Sequence, residues 1–268
     1  MSNFKMKYEI VPRYLSGPSK RRPCIPMQSV IFMVAHDTGN PGSTASGNVG
    51  YYENSRNDME ASAQIFVDDK QIIECIPFLT DAPEKAWHVI YNVTTDNQRY
   101  GADANDAAGG VELCYGGNVN LTEAYKRYVW VLAYSCWKYA LDPAQAITGH
   151  HILDPKRKTD PMNALKLLGK TFDNLIADVV LEYNECMEED DMSKEIEELK
   201  GKFQTLLNTA DVHIKKINDL EAKASMSVPD WAKDAVTSAV SKGLIDTPEG
   251  RSYDFYSLLA VFHRKGLI

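Results

Sequence analysis

The sequence has no apolar run approaching the roughly 20 residues that a membrane-spanning helix needs, which argues against insertion into a bilayer. Nor does it contain a C-x-x-C pair. Its five cysteines, at 24, 75, 114, 136 and 186, are odd in number and scattered, so reduced thiols are the expectation. Positive charge is also in short supply. A net charge of -8 and a pI near 5.3 speak against a phosphate-binding groove, so neither DNA nor RNA is an expected partner. The first 13 residues carry Lys5 and Lys7 but no continuous apolar core and no small-residue cleavage site. No secretory signal is read there, and residence in the cytoplasm is expected.

What is present suffices for one full domain and a smaller companion: 268 residues, 44% hydrophobic and 25% charged, an ordinary globular composition. Residues 10–180 alternate short apolar runs with helical stretches, the pattern of a mixed α/β or α+β domain. Residues 29–35 (SVIFMVA) form a continuous β-branched run suited to a buried central strand that ends directly in His36. Residues 64–68, 71–76 and 110–115 predict further strands, with Asp68, Asp69 and Lys70 turning between the first two. Residues 121–140 predict a long helix, because Leu121, Tyr125, Tyr128, Val129, Leu132 and Cys136 recur at steps of three and four. Pro161 is placed to open a last helix towards Val180.

An acidic stretch then interrupts the pattern. The expected division is a catalytic domain at residues 1–182, an acidic linker at 183–193, a heptad helix at 194–226 and a small helical module at 227–268. In the third segment Ile196, Leu199, Phe203, Leu206, Ala210, His213, Ile217, Leu220 and Ala224 fall on successive a and d positions. Such a sustained 3.5-residue period predicts a helix able to form a coiled coil, with a single connector helix as the plainer alternative. Pro229 stops it, and a helical hairpin follows, residues 231–242 and 253–264 with a stop at Gly243. That hairpin is too small to bury much core by itself.

The segment GHHILDPKRKTDP, residues 149–161, has the residue types that bind a zinc ion. Catalytic zinc takes three protein ligands and keeps a position for water. His150 and Asp160 are two candidate ligands on one loop, His151 competes with His150, and His36 is the best-placed third donor. Spacing alone leaves the assignment open, since no close-set metal motif occurs.

Five runs, VAHDTGN around His36, ASAQIFVDD from Ala61, AWH ending in His88, GVELCY around Glu112 and the 149–161 segment, resemble in order the landmarks of the type 2 amidase family. That family includes phage endolysins, bacterial autolysins and peptidoglycan recognition proteins. The resemblance covers residues 28–167 and implies a mixed central β-sheet flanked by helices. It also implies Zn2+ held by His36, His150 and Asp160, with Glu112 as general base and then acid, and Lys158 as the cation on the developing oxyanion. The reaction implied is hydrolysis of the N-acetylmuramoyl-L-alanine amide bond in Gram-positive peptidoglycan. Trp87 and His88 are expected at the substrate groove. Gln64 departs from the family, in which many relatives carry His.

The C-terminal stretches PDWAKDAVTSAVSKGLID and DFYSLLAVFHRKGLI resemble wall-anchoring helical modules of phage endolysins and, more distantly, surface-layer homology segments. Trp231, Tyr253, Phe255, Tyr256 and Phe262 are there either core or sugar-stacking groups. The run Lys20, Arg21, Arg22 is expected as a solvated loop. Glu188, Glu189 and Asp190 can be encoded by purine-rich codons resembling a ribosome-binding sequence, so an internal start at Met192 is expected, its product assembling with the full chain as a homo-oligomer would. A phage lysin held in the host cytoplasm until lysis fits the missing leader. A non-catalytic wall-binding protein and a glycosidase are the rival readings.

Overall fold

A computed structural model describes residues 3–268, apart from the side chains of residues 188–194. The chain forms two compact units, Met1–Ser193 and Lys194–Ile268. The first contains strands β1 (Ile10–Pro12), β2 (Phe32–Asp37), β3 (Ile65–Val67), β4 (Ile72–Glu74), β5 (Ala108–Leu113) and β6 (Ile147–Gly149). Its helices are α1 (Ala45–Asn54), α2 (Thr95–Tyr100), α3 (Ala104–Ala107), α4 (Leu121–Lys138), α5 (His150–Leu153) and α6 (Met162–Leu167), followed by the start of α7 (Phe172–Ala224). The strands make one mixed sheet in the order β1-β4-β3-β5-β2-β6. β5 and β6 flank β2 in parallel, β3 runs parallel to β5, and the β3–β4 pair is antiparallel.

Strand periodicity sorts side chains onto the two faces. Met33 and Ala35 of β2, with Val111 and Leu113 of β5, meet Tyr128, Val129 and Leu132 of α4 in the larger core. Phe32 and Val34 point the other way, into a cluster with Val89, Ala104 and Leu153. The same alternation carries His36 and Glu112 onto this second face, and the β2–β5 register sets them directly opposite each other. α4 starts at Asn120, whose side chain accepts from the Glu123 N–H, and its buried stripe follows the expected spacing.

Buried charges are held in specific geometry. The fully buried Glu74 carboxylate accepts from the backbone N–H groups of Phe78 (2.9 Å), Leu79 (2.8 Å) and Thr80 (3.1 Å). Asp68 makes the expected turn, its Oδ1 accepting from Lys70 and Gln71 while Oδ2 accepts from the first residue of α1. All five cysteines are free.

Two expectations are corrected. Arg21 and Arg22 are not in a solvated loop: the Arg21 guanidinium is buried 4.3 Å from the Tyr52 ring centroid and bonds Ser55, and Arg22 pairs with Glu84 through two 2.8 Å contacts. Their apolar stems and planar heads suit aromatic and carboxylate neighbours brought in from far along the chain. The helix expected from Pro161 to Val180 is two helices, because Gly169 takes a φ of +65° after α6 and Thr171 then opens α7 by accepting from the Asn174 N–H. The acidic stretch expected as a linker is helical, lying within α7, whose 53 residues contain no proline, and the boundary between the two units falls at its end, between Ser193 and Lys194. The side chain of Met192, the expected internal start, lies outside the described residues.

In the second unit a 3-10 turn (Asp230–Ala232), α8 (Lys233–Ser241) and α9 (Tyr253–Arg264) form the hairpin around Ala232, Val236 and Tyr256. Tyr256 is fully buried, whereas Trp231 and Tyr253 are 46% and 47% exposed, so the aromatic set divides between core and surface. Along α7, Leu199, Phe203, Leu206 and Leu220 are 68%, 60%, 65% and 58% exposed. No helix among the described residues is long and apolar enough to cross a membrane.

One position tests the packing. A Cβ on Gly109 of β5 would lie 2.2 to 2.8 Å from three carbons of the Phe78 ring. Gly109→Ala is expected to destabilise the first unit by about 1–3 kcal/mol, the usual range for overpacking, as read by denaturant unfolding followed through tryptophan fluorescence. An unchanged midpoint would show that the Phe78 ring shifts freely.

Candidate active site

β2, β5 and β6 run in parallel, so their carboxyl ends lie together at one edge of the sheet. His36 and Glu112 each stand one residue before the end of their strand, and His150 follows β6 as the first residue of α5. The loop from Asp154 to Asp160 is stiffened by an Arg157–Asp154 ion pair at 2.6 Å and returns to His151, whose N–H donates to the Asp160 carbonyl at 3.0 Å. That return brings the Asp160 carboxylate inward. Its Oδ2 lies 2.8 Å from His36 Nδ1 and 3.0 Å from His150 Nδ1. One ligating atom from each of the three residues lies within 4.8 Å of the others. Two imidazoles and a carboxylate are the donor types that borderline divalent metals such as zinc accept, so the residues fit such an ion.

The surroundings are dry and charged. Burial pushes His36 down to about 4, against the pull of Asp160, which favours its charged form. Burial also raises Glu112 well above the usual carboxylate range, helped by the negative Asp160 and Asp37 and opposed by Lys158. For Asp160, burial acts upward, but the bonds to His150 and His36 outweigh it and hold the carboxyl well below its ordinary value. Glu112 Oε2 and His150 Nε2 are buried without a hydrogen-bond partner among the described residues. His36, Glu112, His150, Lys158 and Asp160 line one cleft of about 220 Å³, walled by Tyr52 and Trp87. A second hollow of about 270 Å³ continues from it past Trp87 and Tyr91.

Residues 26–163, just over half the chain, match the family model described as N-acetylmuramoyl-L-alanine amidase. This protein belongs to the N-acetylmuramoyl-L-alanine amidase family. It is similar to the N-acetylmuramoyl-L-alanine amidase BlyA of Bacillus subtilis (strain 168), with 30% identity over 167 residues, which span 60% of this chain and 43% of that relative. The chain thus aligns with less than half the length of the curated relative. Among solved structures, the catalytic domain of XlyA superposes with a TM-score of 0.51 at 22% identity, covering 64% of this chain and 99% of that one. The hydrolase AmiA of Staphylococcus aureus, in complex with its ligand, gives 0.53 at 22% identity over 66% of this chain and 85% of its own. These two likenesses place the sheet and its flanking helices in the amidase fold.

Within this amidase-family fold the structure brings together His36, Glu112, His150, Lys158 and Asp160. His151 is not turned to the cluster: its Nδ1 lies 3.2 Å from the Asp160 carbonyl oxygen, and its ring packs on Phe172. Trp87 stands in the cleft wall, as expected for a groove residue. His88 also lines both hollows, but it is buried and both ring nitrogens are engaged, Nδ1 with His36 Nε2 at 3.1 Å and Nε2 with the Ala108 carbonyl at 3.1 Å. Gln64 is wholly buried, its Oε1 accepting from the Gly110 N–H at 2.7 Å and its Nε2 donating to the Glu84 carbonyl at 3.3 Å, which gives the amide a structural task.

Sequence reasoning missed Tyr52, Asp37 and Asn105. Asp37 ties the site loop to the sheet, accepting from Gly39, Asn163 and the Ala164 N–H. Asn105 is the clamp of the Trp87–His88 segment: Oδ1 accepts from the N–H groups of both His88 and Val89 at 3.0 Å, and Nδ2 donates to the Val89 carbonyl. No local pattern marks an asparagine for this task. Asn105→Ala is expected to cost on the order of 1–3 kcal/mol for each backbone group left buried and unpaired, measured by denaturant unfolding. An unshifted midpoint would mean that water replaces the amide.

Proposed function

We propose that this protein hydrolyses the amide bond between N-acetylmuramic acid and L-alanine in peptidoglycan, with a zinc ion held by His36, His150 and Asp160. The observation that carries the reading is the meeting of His36 Nδ1, His150 Nδ1 and Asp160 Oδ2 in one cleft with the buried Oε2 of Glu112, which has no partner among the described residues. When bound, zinc supplies Lewis acidity towards the scissile carbonyl and lowers the pKa of water.

The residues of the chain do the rest. Burial and neighbouring carboxylates raise the proton affinity of Glu112, so it can take a proton from the attacking water and later hand it to the leaving amine of L-alanine. Lys158, in the same cleft, offsets the negative charge that builds on the carbonyl oxygen. Trp87 gives an apolar wall against which substrate is held, and the second hollow extends that wall along the chain of the substrate.

The family membership supports reading the protein as an endolysin acting on Gram-positive wall. The C-terminal hairpin serves in this reading as a wall-binding module. The exposed apolar stripe of α7 supports self-association, with the full chain or with a product starting at Met192. Met192→Ile should then remove a shorter band from a denaturing gel without altering the full-length one, and a single species in the parent protein would count against the internal start.

The deciding experiment treats purified Gram-positive wall with the protein. New N-terminal alanine without new reducing ends is expected, lost on chelation and regained with zinc. New reducing ends would establish a glycosidase instead, and binding without product would leave a wall-recognition protein. Glu112→Gln should lower turnover by about 10²–10⁴-fold, the usual contribution of acid–base catalysis, with zinc affinity unchanged. Full activity in that variant would reject the role of Glu112.

A further inference from the structure

The AWH run offered His88 as a groove residue, yet its ring nitrogens face inward. His88 Nε2 lies 3.1 Å from the carbonyl oxygen of Ala108, and His88 Nδ1 lies 3.1 Å from His36 Nε2. A carbonyl oxygen can only accept, so this contact requires the His88 proton on Nε2. A neutral imidazole carrying that proton has a lone pair on Nδ1. The His36 Nε2 must then be the donor, and the remaining His36 nitrogen, Nδ1, presents its own lone pair towards Asp160 Oδ2 at 2.8 Å. Two acceptors facing each other at that distance need a positive centre between them.

The ring of His88 is built into its place. Gly110 of β5 lies beneath it, and a Cβ there would come within 2.9 Å of His88 Cγ and 3.0 Å of Nδ1. The Gly110 N–H is itself fixed by Gln64, and the backbone of His88 is fixed by Asn105. The two rings stand nearly perpendicular, at 88° with centroids 5.3 Å apart, so the edge of one addresses the other.

We propose that His88 is a positioning residue for metal binding: through the Ala108 carbonyl it fixes the tautomer of His36 that leaves Nδ1 free to ligate. It does not touch substrate in this role. The inference rests on the reading of His36 as a zinc ligand and adds a task to a residue outside the ligand set. A hydrogen-bond partner behind a metal-bound imidazole fixes ring orientation and raises ligand basicity, and its loss typically costs about 10–100-fold in metal affinity.

The test measures zinc affinity by competition with a chromophoric chelator, in the full-length protein and in two variants. His88→Leu removes the acceptor, and a zinc dissociation constant about 10–100-fold weaker is expected. His88→Asn returns an acceptor oxygen near the position of Nδ1, and affinity within a few-fold of the parent is expected. Circular dichroism melts of the metal-free proteins show that each variant is folded. Long-range 1H–15N spectra of the parent protein report the tautomers directly, with the proton on Nε2 expected for both His36 and His88. A proton on Nδ1 of either ring would overturn the proposal whatever the variants do. So would His88→Leu binding zinc as tightly as the parent, or His88→Asn binding as weakly as His88→Leu. A parent protein that bound no zinc would overturn the metal reading itself, and this inference with it.

Discussion

One carboxylate oxygen, Asp160 Oδ2, stands within 3.0 Å of imidazole nitrogens on residue 36, in β2, and residue 150, which opens α5 directly after the neighbouring β6. Much of the first unit is arranged to keep that oxygen there. The parallel pairing of β2 with β6 brings the two histidines alongside, His151 anchors the Asp160 carbonyl, and Asp37 ties α6 back onto β2. Each is a backbone or carboxylate contact that a shift of one residue would break. In a buried setting such contacts are electrostatically stronger than in water, and an unpaired one is correspondingly more costly. Burial weakens the charged form of His36 and acts against the anion at Asp160 as well, so it is the bonds from His36 and His150 that keep Asp160 anionic at the centre of the cluster.

The placement of Glu112 follows from strand parity and nothing more elaborate. On β5, Val111 and Leu113 go to the core under α4, so the residue between them must go to the opposite face, next to His36. A carboxylate there is expensive: it sits near Asp160 and Asp37, and its Oε2 is buried with no partner among the described residues. A stable scaffold would place an apolar side chain at such a position. Local cost of this kind, on a strand otherwise buried from end to end, is the pattern expected where chemistry has overruled stability.

What could be read in the sequence was whatever has a strong local cause. The run SVIFMVA announced the central strand, although β2 is shifted to Phe32–Asp37 and so contains His36 instead of stopping before it. The stripe on α4 and the 149–161 segment were equally legible, and the second supplied three of the five residues that meet in the cleft. β1 and β6 were not, because strands of three residues carry no period. Arg21 and Asn105 were misread or missed for a related reason. Each is defined by partners far along the chain, and polar residues at such positions look like surface until the fold supplies those partners. The acidic stretch marked a change of composition where the two units divide, without breaking the helix, which lacks proline.

The second unit poses the opposite problem, a helix whose pattern is strong and whose apolar face lies open. Its own core rests on Ala232, Val236 and Tyr256 with a few partly buried neighbours, and a unit of this size seldom gains more than about 3–5 kcal/mol from one small core. Burying a leucine side chain contributes about 1.5–3 kcal/mol, so covering Leu199, Leu206 and Leu220, each more than half exposed, would rival that core. If the proposed self-association supplies the cover, folding of the module and assembly of the protein become one equilibrium. The assembly would then present several wall-binding hairpins together, and the gain in residence on the wall would come from multiplicity without any improvement in a single hairpin's contacts.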